Sequence, residues 1–183
     1  MSVRPPDGPL TWNVAGLLAD LTGAERTYPV AGVELDLDET ELAQPIDGEV
    51  RLARTNRGIL ANARLGTALK TQCSRCLLDI TVPVRIDLRE EFLPSIDLAT
   101  GRPVVDDDEP DILRLTDHHE VSLETPVREA IWLAEPIAPL CRPDCPGLCV
   151  VCGGRLDEGE HDHPDADIDP RLEALRAFRE DDA

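Results

Sequence analysis

The chain has 183 residues, of which 18 are Lys or Arg and 37 are Asp or Glu, giving a formal net charge of -19. The length suits one ordinary domain, and 42% hydrophobic with only 3% aromatic residues implies a modest, aliphatic core. A surface this acidic argues against a general nucleic-acid coat, since phosphates repel it. No apolar run approaches the roughly 20 residues of a membrane helix, and Met1–Leu10 lacks a basic segment followed by an apolar stretch. The expectation is a soluble, cytoplasmic chain with no membrane partner.

The charge is unevenly distributed. Residues 1–47 hold 2 basic and 9 acidic side chains, net -7, and residues 94–183 hold 8 and 23, net -15. Residues 48–93 hold 8 and 5, net +3. The middle segment is basic.

In chain order, Val14, Leu17, Leu18 and Leu21 fall at helical spacing and predict a first helix over 11–22, weakened by Gly16. Tyr28 to Leu37 alternates as a strand, with Val33, Leu35 and Leu37 on one side, before an acidic stretch at Asp36–Glu41. Gly48 to Thr71 reads as a long hairpin turning at Thr55-Asn56-Arg57-Gly58. Then Ile80, Val82, Val84, Ile86, Leu88 and Phe92 face one way, and Thr81, Pro83, Arg85, Asp87, Arg89 and Glu91 the other. Pro83 on the polar side predicts an edge strand or a bulge.

Periodicity fades between about 94 and 120, where Asp106–Asp111 reads as a solvated acidic loop. Ser122 to Glu135 predicts a helix with Leu123, Val127, Ile131 and Ala134 on one stripe and Pro126 in its first turn. Asp169-Pro170 opens a short final helix that buries Leu172, Leu175 and Phe178. The order implies an α+β fold, with a meander forming an antiparallel curled sheet or partial barrel packed by a few helices. The expected division is a sheet domain over 1–140 and a Cys/His-rich zinc segment with the terminal helix over 141–183, packed on the first.

Six cysteines without an export signal argue against a disulfide framework. They stand as Cys73-x2-Cys76 and Cys141-x3-Cys145-x3-Cys149-x2-Cys152, with His161-x-His163 nine residues on. A CxxC turn aims two thiolates at one point, and two pairs complete a tetrahedron around zinc. One or two structural Zn2+ ions are therefore expected. The preferred partition joins Cys73, Cys76, Cys141 and Cys145, then Cys149, Cys152, His161 and His163. The alternative gathers Cys141, Cys145, Cys149 and Cys152 in one site and leaves the first pair free. Equally, the histidines can belong to an exposed acidic loop without metal. A redox CxxC would need a helix opening at its first cysteine, whereas Cys73 sits in a β-turn. A closed four-ligand site leaves no open position for hydrolysis, and no HExxH, phosphate loop or G-x-S-x-G is present. No enzyme and no small-molecule substrate are expected.

Three motifs together resemble the YceD family of bacteria and plastids. They are Cys73-Ser-Arg-Cys76-Leu77 between two strands, the segment from Val121 to Leu133 running into Glu135-Pro136, and Cys145-Pro-Gly-Leu-Cys149-Val-Val-Cys152-Gly153. A D-P-R-L helix start at Asp169–Leu172 matches too. The chain departs in having His161-Asp-His163 where many relatives carry Cys-x-Cys, and Glu135 where a small or apolar residue is usual. The resemblance implies a non-enzymatic role in accumulation or processing of large-subunit (23S) ribosomal RNA and in large-subunit biogenesis.

Candidate phosphate contacts to that RNA or a pre-ribosomal particle are Arg51, Arg54, Arg57, Arg64, Lys70, Arg75, Arg85 and Arg89. Their bland reading is a solvated strand face paired with local acids. The competing function is an acidic, zinc-stabilised adaptor for a basic ribosomal protein, and a thiol redox protein or metal carrier stands behind both.

Overall fold

The computed structural model describes residues 8–38, 40–97, 100, 102, 112–163 and 171. The acidic run Asp106–Asp111 and the final helix expected from Asp169 lie outside the described residues. Two compact units are resolved by chain contacts: Met1–Gln72 with Asp79–Pro139, and Cys73–Leu78 with Leu140–Ala183.

Among its described residues, the first unit contains two antiparallel sheets and two helices. In order they are β1 (Thr11–Asn13), α1 (Ala15–Ala19), β2 (Glu25–Val33), β3 (Glu41–Arg54), β4 (Ile59–Gln72), β5 (Asp79–Phe92), β6 (Glu120–Ser122) and α2 (Glu124–Ala134). The main sheet is an open meander in the order β2-β3-β4-β5, and β1 pairs with β6 in a second sheet. Neither sheet closes on itself. No helix among the described residues is long and apolar enough to cross a membrane.

Period-two alternation sets the buried face. On β4, Ile59, Ala61, Ala63, Leu65 and Leu69 are buried, while Arg64 and Lys70 are exposed. Register places Leu52 against Ala61, Val50 against Ala63, Leu65 against Ile86, and Ile59 against Phe92. Val127 and Ile131 of α2, with Leu17 of α1, join this core, and each such aliphatic stabilises the fold by about 1.5–3 kcal/mol. Pro83 sits on β5, an edge strand, the place in a sheet where a residue without an N–H is tolerated.

Several boundaries differ from the sequence reading. The helix expected over 11–22 is only Ala15–Ala19, because Thr11–Asn13 is taken by pairing with Glu120–Ser122. The same pairing removes Ser122 from α2, whose stripe is Leu123, Val127 and Ile131; Ala134 is exposed at its end. The strand expected from Tyr28 to Leu37 instead spans Glu25–Val33, although Leu37 is buried beyond it. β3 begins at Glu41 rather than Gly48, interrupted by bulges between Leu42, Gln44 and Asp47 that accommodate Pro45. Gly48, at φ +151, passes so close to β4 that a Cβ there would lie 2.2 Å from the Arg64 carbonyl oxygen.

Candidate metal centres and the arginine-bearing face

The chain leaves the main sheet at Gln72 and returns at Asp79, and the intervening Cys73–Leu78 belongs to the second unit. This turn is tight. The Cys73 amide donates to the Leu78 carbonyl at 2.8 Å, and the Leu77 amide donates back to Cys73 at 2.9 Å. Leu77 takes a left-handed φ of 58° to close it. Cys73 and Cys76 are both buried.

Their sulfurs meet those of the second cysteine stretch. Cys73 Sγ lies 3.8 Å from Cys145 Sγ, and Cys76 Sγ lies 3.7 Å from Cys141 Sγ. Four sulfurs at about 2.3 Å from a tetrahedral ion stand about 3.8 Å apart, whereas a disulfide needs about 2.05 Å. The four ligand atoms all lie within 4.8 Å of one another. Each thiol of a CxxC pair thus approaches a sulfur of the other stretch, as metal sharing requires.

Electrostatics point the same way. Burial disfavours ionisation of Cys73, but amides of Cys141, Arg75 and Cys76 outweigh it and lower its pKa to about 6. Burial, then the neighbouring Cys145, Cys76 and Cys73, push Cys141 up to about 12. The Leu78 amide favours a Cys76 thiolate, yet burial and hydrogen bonds with Cys73 and Cys145 leave its pKa raised. Four thiolates cannot share this space without a compensating cation. A divalent ion would supply that charge.

A second cluster follows on a short hairpin. Leu148 bridges Arg155, the Cys149 amide donates to Gly154 O at 2.7 Å, and Gly153 N returns to Cys149 O at 2.9 Å. The Val151 and Gly154 amides lie 3.5 and 3.4 Å from the sulfurs of Cys149 and Cys152. His161 Nε2 donates to the Arg155 carbonyl at 2.8 Å, and its Nδ1 lies 3.4 Å from Cys152 Sγ. His163 Nε2 is buried with no hydrogen-bond partner. An imidazole nitrogen and a thiolate on one tetrahedral ion stand about 3.6 Å apart, so Cys149, Cys152, His161 and His163 also form a set that could hold a metal ion.

Sequence reasoning missed the groups around these ligands. Arg155 forks onto Asp157 at 3.1 and 2.9 Å, and Asp157 also meets Arg142, the neighbour of Cys141, at 3.3 Å. The Arg155–Asp157 spacing was the only signal. His118 is exposed, and neither it nor His119 belongs to either cluster.

The eight candidate cationic residues divide by environment. Arg54 is half-buried and donates to the carbonyls of Leu18, Thr55 and Gly58. Arg75, in the second unit, donates to Cys145 O at 2.9 Å. Arg51 pairs with Glu25 at 3.4 Å, Arg57 with Glu91 at 4.0 Å, and Lys70 with Glu41. Arg64, Arg85 and Arg89 are exposed, and among the described residues none of their side chains has an ion-pair or hydrogen-bond partner. These three share the solvent face of the main sheet with Arg51, Glu49 and Asp87.

Residues 61–179 match the family described as Large ribosomal RNA subunit accumulation protein YceD. The chain belongs to the YceD family. The match to YceD spans β4 onward and contains all eight Cys and His residues of the two clusters. Uncharacterized proteins of Mycobacterium tuberculosis and Mycobacterium bovis are each 33% identical over 151 residues, which is 82% of this chain and 70% of theirs. One from Mycobacterium leprae is 30% identical over 147 residues, 80% of this chain and 65% of its own. No solved structure matches.

Proposed function

We propose that this YceD-family chain is a non-catalytic cytoplasmic factor in accumulation and processing of 23S ribosomal RNA during large-subunit biogenesis. Its family membership carries the reading, since that family is described by accumulation of the large ribosomal RNA subunit. Each Cys/His cluster holds one structural zinc ion in this proposal. Support comes from sulfur separations of 3.8 and 3.7 Å and from the orphaned nitrogen of His163. Zinc would neutralise the converging thiolates and close each loop. The protein's own part is to aim the sulfurs with turn amides and to fix the His161 tautomer through Arg155 O.

The test is recovery of the tagged protein from growing cells, with scoring of bound RNA, bound ribosomal proteins and metal. Enrichment of large-subunit RNA, and a fall in 23S relative to 16S RNA on depletion, are the expected results. Loss of neither RNA species on depletion would reject the reading.

The adaptor reading has its own support in the net charge of -19 and in Glu49 and Asp87 between the arginines. It expects capture of a basic ribosomal protein and no affinity for RNA alone. The redox reading would need a helix opening at the first cysteine of its CxxC pair, whereas Cys73 opens a tight turn closed by Leu77 and Leu78.

A further inference from the structure

We propose that the solvent face of the main sheet is a binding surface for unpaired RNA nucleotides, a specification that rests on the RNA reading above. Arg64, Arg85 and Arg89 take phosphates, while Glu49 and Asp87 accept from ribose 2′-hydroxyls as well as from base amino groups.

The argument begins with which cations are free. Arg54 and Arg75 are committed to backbone carbonyls, and Arg51, Arg57 and Lys70 each have a carboxylate. Among the described residues, only Arg64, Arg85 and Arg89 of the eight stand exposed without a side-chain partner. Their guanidiniums can therefore meet phosphate without first breaking an internal bond. Arg85 and Arg89 lie four residues apart on β5, about 13 Å along the strand, and Arg64 on β4 is in register with Asp87 between them. Three cations on two adjacent strands form a track rather than a point.

The acids on the same face define the ligand more narrowly. Across β3, β4 and β5, one rung reads Arg51–Asn62–Arg89 and the next Glu49–Arg64–Asp87. The side chains of these six residues line a shallow depression of about 380 Å³. A bare polyanion gains from the first rung and is repelled by the carboxylates of the second. An RNA nucleotide uses both, because it carries phosphate acceptors beside hydroxyl and amino donors. Paired RNA hides most base edges, so an unpaired strand is the form that reaches these acceptors. Among the described residues, no aromatic side chain lines the depression, and the guanidinium planes of Arg64 and Arg89 offer stacking surfaces.

The experiment uses the zinc-loaded full chain and a labelled single-stranded oligoribonucleotide of about twelve residues, with its deoxy counterpart and an RNA duplex as comparisons. Fluorescence anisotropy should show preference for the RNA single strand. The triple variant Arg64→Ala/Arg85→Ala/Arg89→Ala should lose about tenfold or more in affinity and show a flatter salt dependence. Glu49→Ala/Asp87→Ala, which removes the acceptors together with the repelling charges, should keep affinity but lose preference for RNA over DNA. These side chains are exposed, and far-UV circular dichroism checks that each variant folds. Unchanged binding by the triple variant, or equal binding of RNA and DNA by the wild type, would overturn the surface. If the triple variant still co-purifies with large-subunit RNA, the surface falls and the proposed function stands. If the wild type co-purifies with no ribosomal RNA, the function itself falls. Capture of a ribosomal protein on this face without oligonucleotide binding would also overturn the RNA assignment.

Discussion

His161 is held by Arg155: its Nε2–H donates to the Arg155 carbonyl oxygen at 2.8 Å, and its Nδ1 consequently faces Cys152 Sγ at 3.4 Å. One backbone oxygen thereby selects which nitrogen can serve as a ligand. His161→Ala should lower zinc content from two ions per chain to one, measured by elemental analysis of purified protein. The Cys73 cluster should keep its ion. Retention of two ions would remove His161 from the ligand set.

Cys76→Ser should strip the other ion and loosen the second unit alone. The main sheet has its own core of Leu52, Ile59, Leu65 and Ile86, so it does not depend on metal for its packing. Hydrogen exchange should quicken by about 100-fold near Cys73–Leu78 and residues 141–149, because structural zinc adds its binding energy to the folding energy of such a segment. Amides in the middle of β4 should remain protected. Equal loss of protection in both places would mean that the units fold as one.

The metal-free protein should gain stability as pH rises from 6 to 9. Cys73 has a folded pKa of about 6 against an ordinary 9.0. Its thiolate contribution is complete above 9.0 and is lost as pH falls through 6. Cys141 acts in the opposite sense, with its pKa raised to about 12; its contribution is complete below 9.0 and fades as pH rises through 12. The unfolding transition of the second unit in chelator-treated protein, followed at pH 6, 7.5 and 9, measures this. A midpoint that falls over that range would contradict the assignment.

Arg54→Ala should affect stability without affecting RNA. Its guanidinium serves three backbone carbonyls, two of them in the β3–β4 turn. Hydrogen bonds from a charged donor contribute about 1.5–3 kcal/mol, so urea unfolding should show a loss of about that size. Affinity for an oligoribonucleotide should stay unchanged. A stable variant that binds RNA poorly would place Arg54 on the binding surface.

Local pattern carried much of this protein. Alternation from Ile80 to Phe92 marked both faces of β5, and Pro83 marked its edge position, because side chains on a strand obey a period of two wherever it lies. Cysteine spacing marked two candidate metal clusters, since a CxxC turn directs its sulfurs without outside help. The YceD motifs lay in the same residues.

Tertiary structure alone decided the rest. Thr11–Asn13 became a strand because Glu120–Ser122, more than a hundred residues away, offered its ladder bonds. The sulfur partition was open in the sequence because Cys73 and Cys145 are 72 residues apart, and only the folded chain brings them to 3.8 Å. The roles of the arginines were hidden for a similar reason. A strand pattern shows that Arg54 and Arg85 leave the buried row, but the carbonyls that occupy one and the open solvent before the other depend on distant register and loops. Local periodicity determines which way a side chain points; what it meets there is set by contacts between residues far apart in the chain.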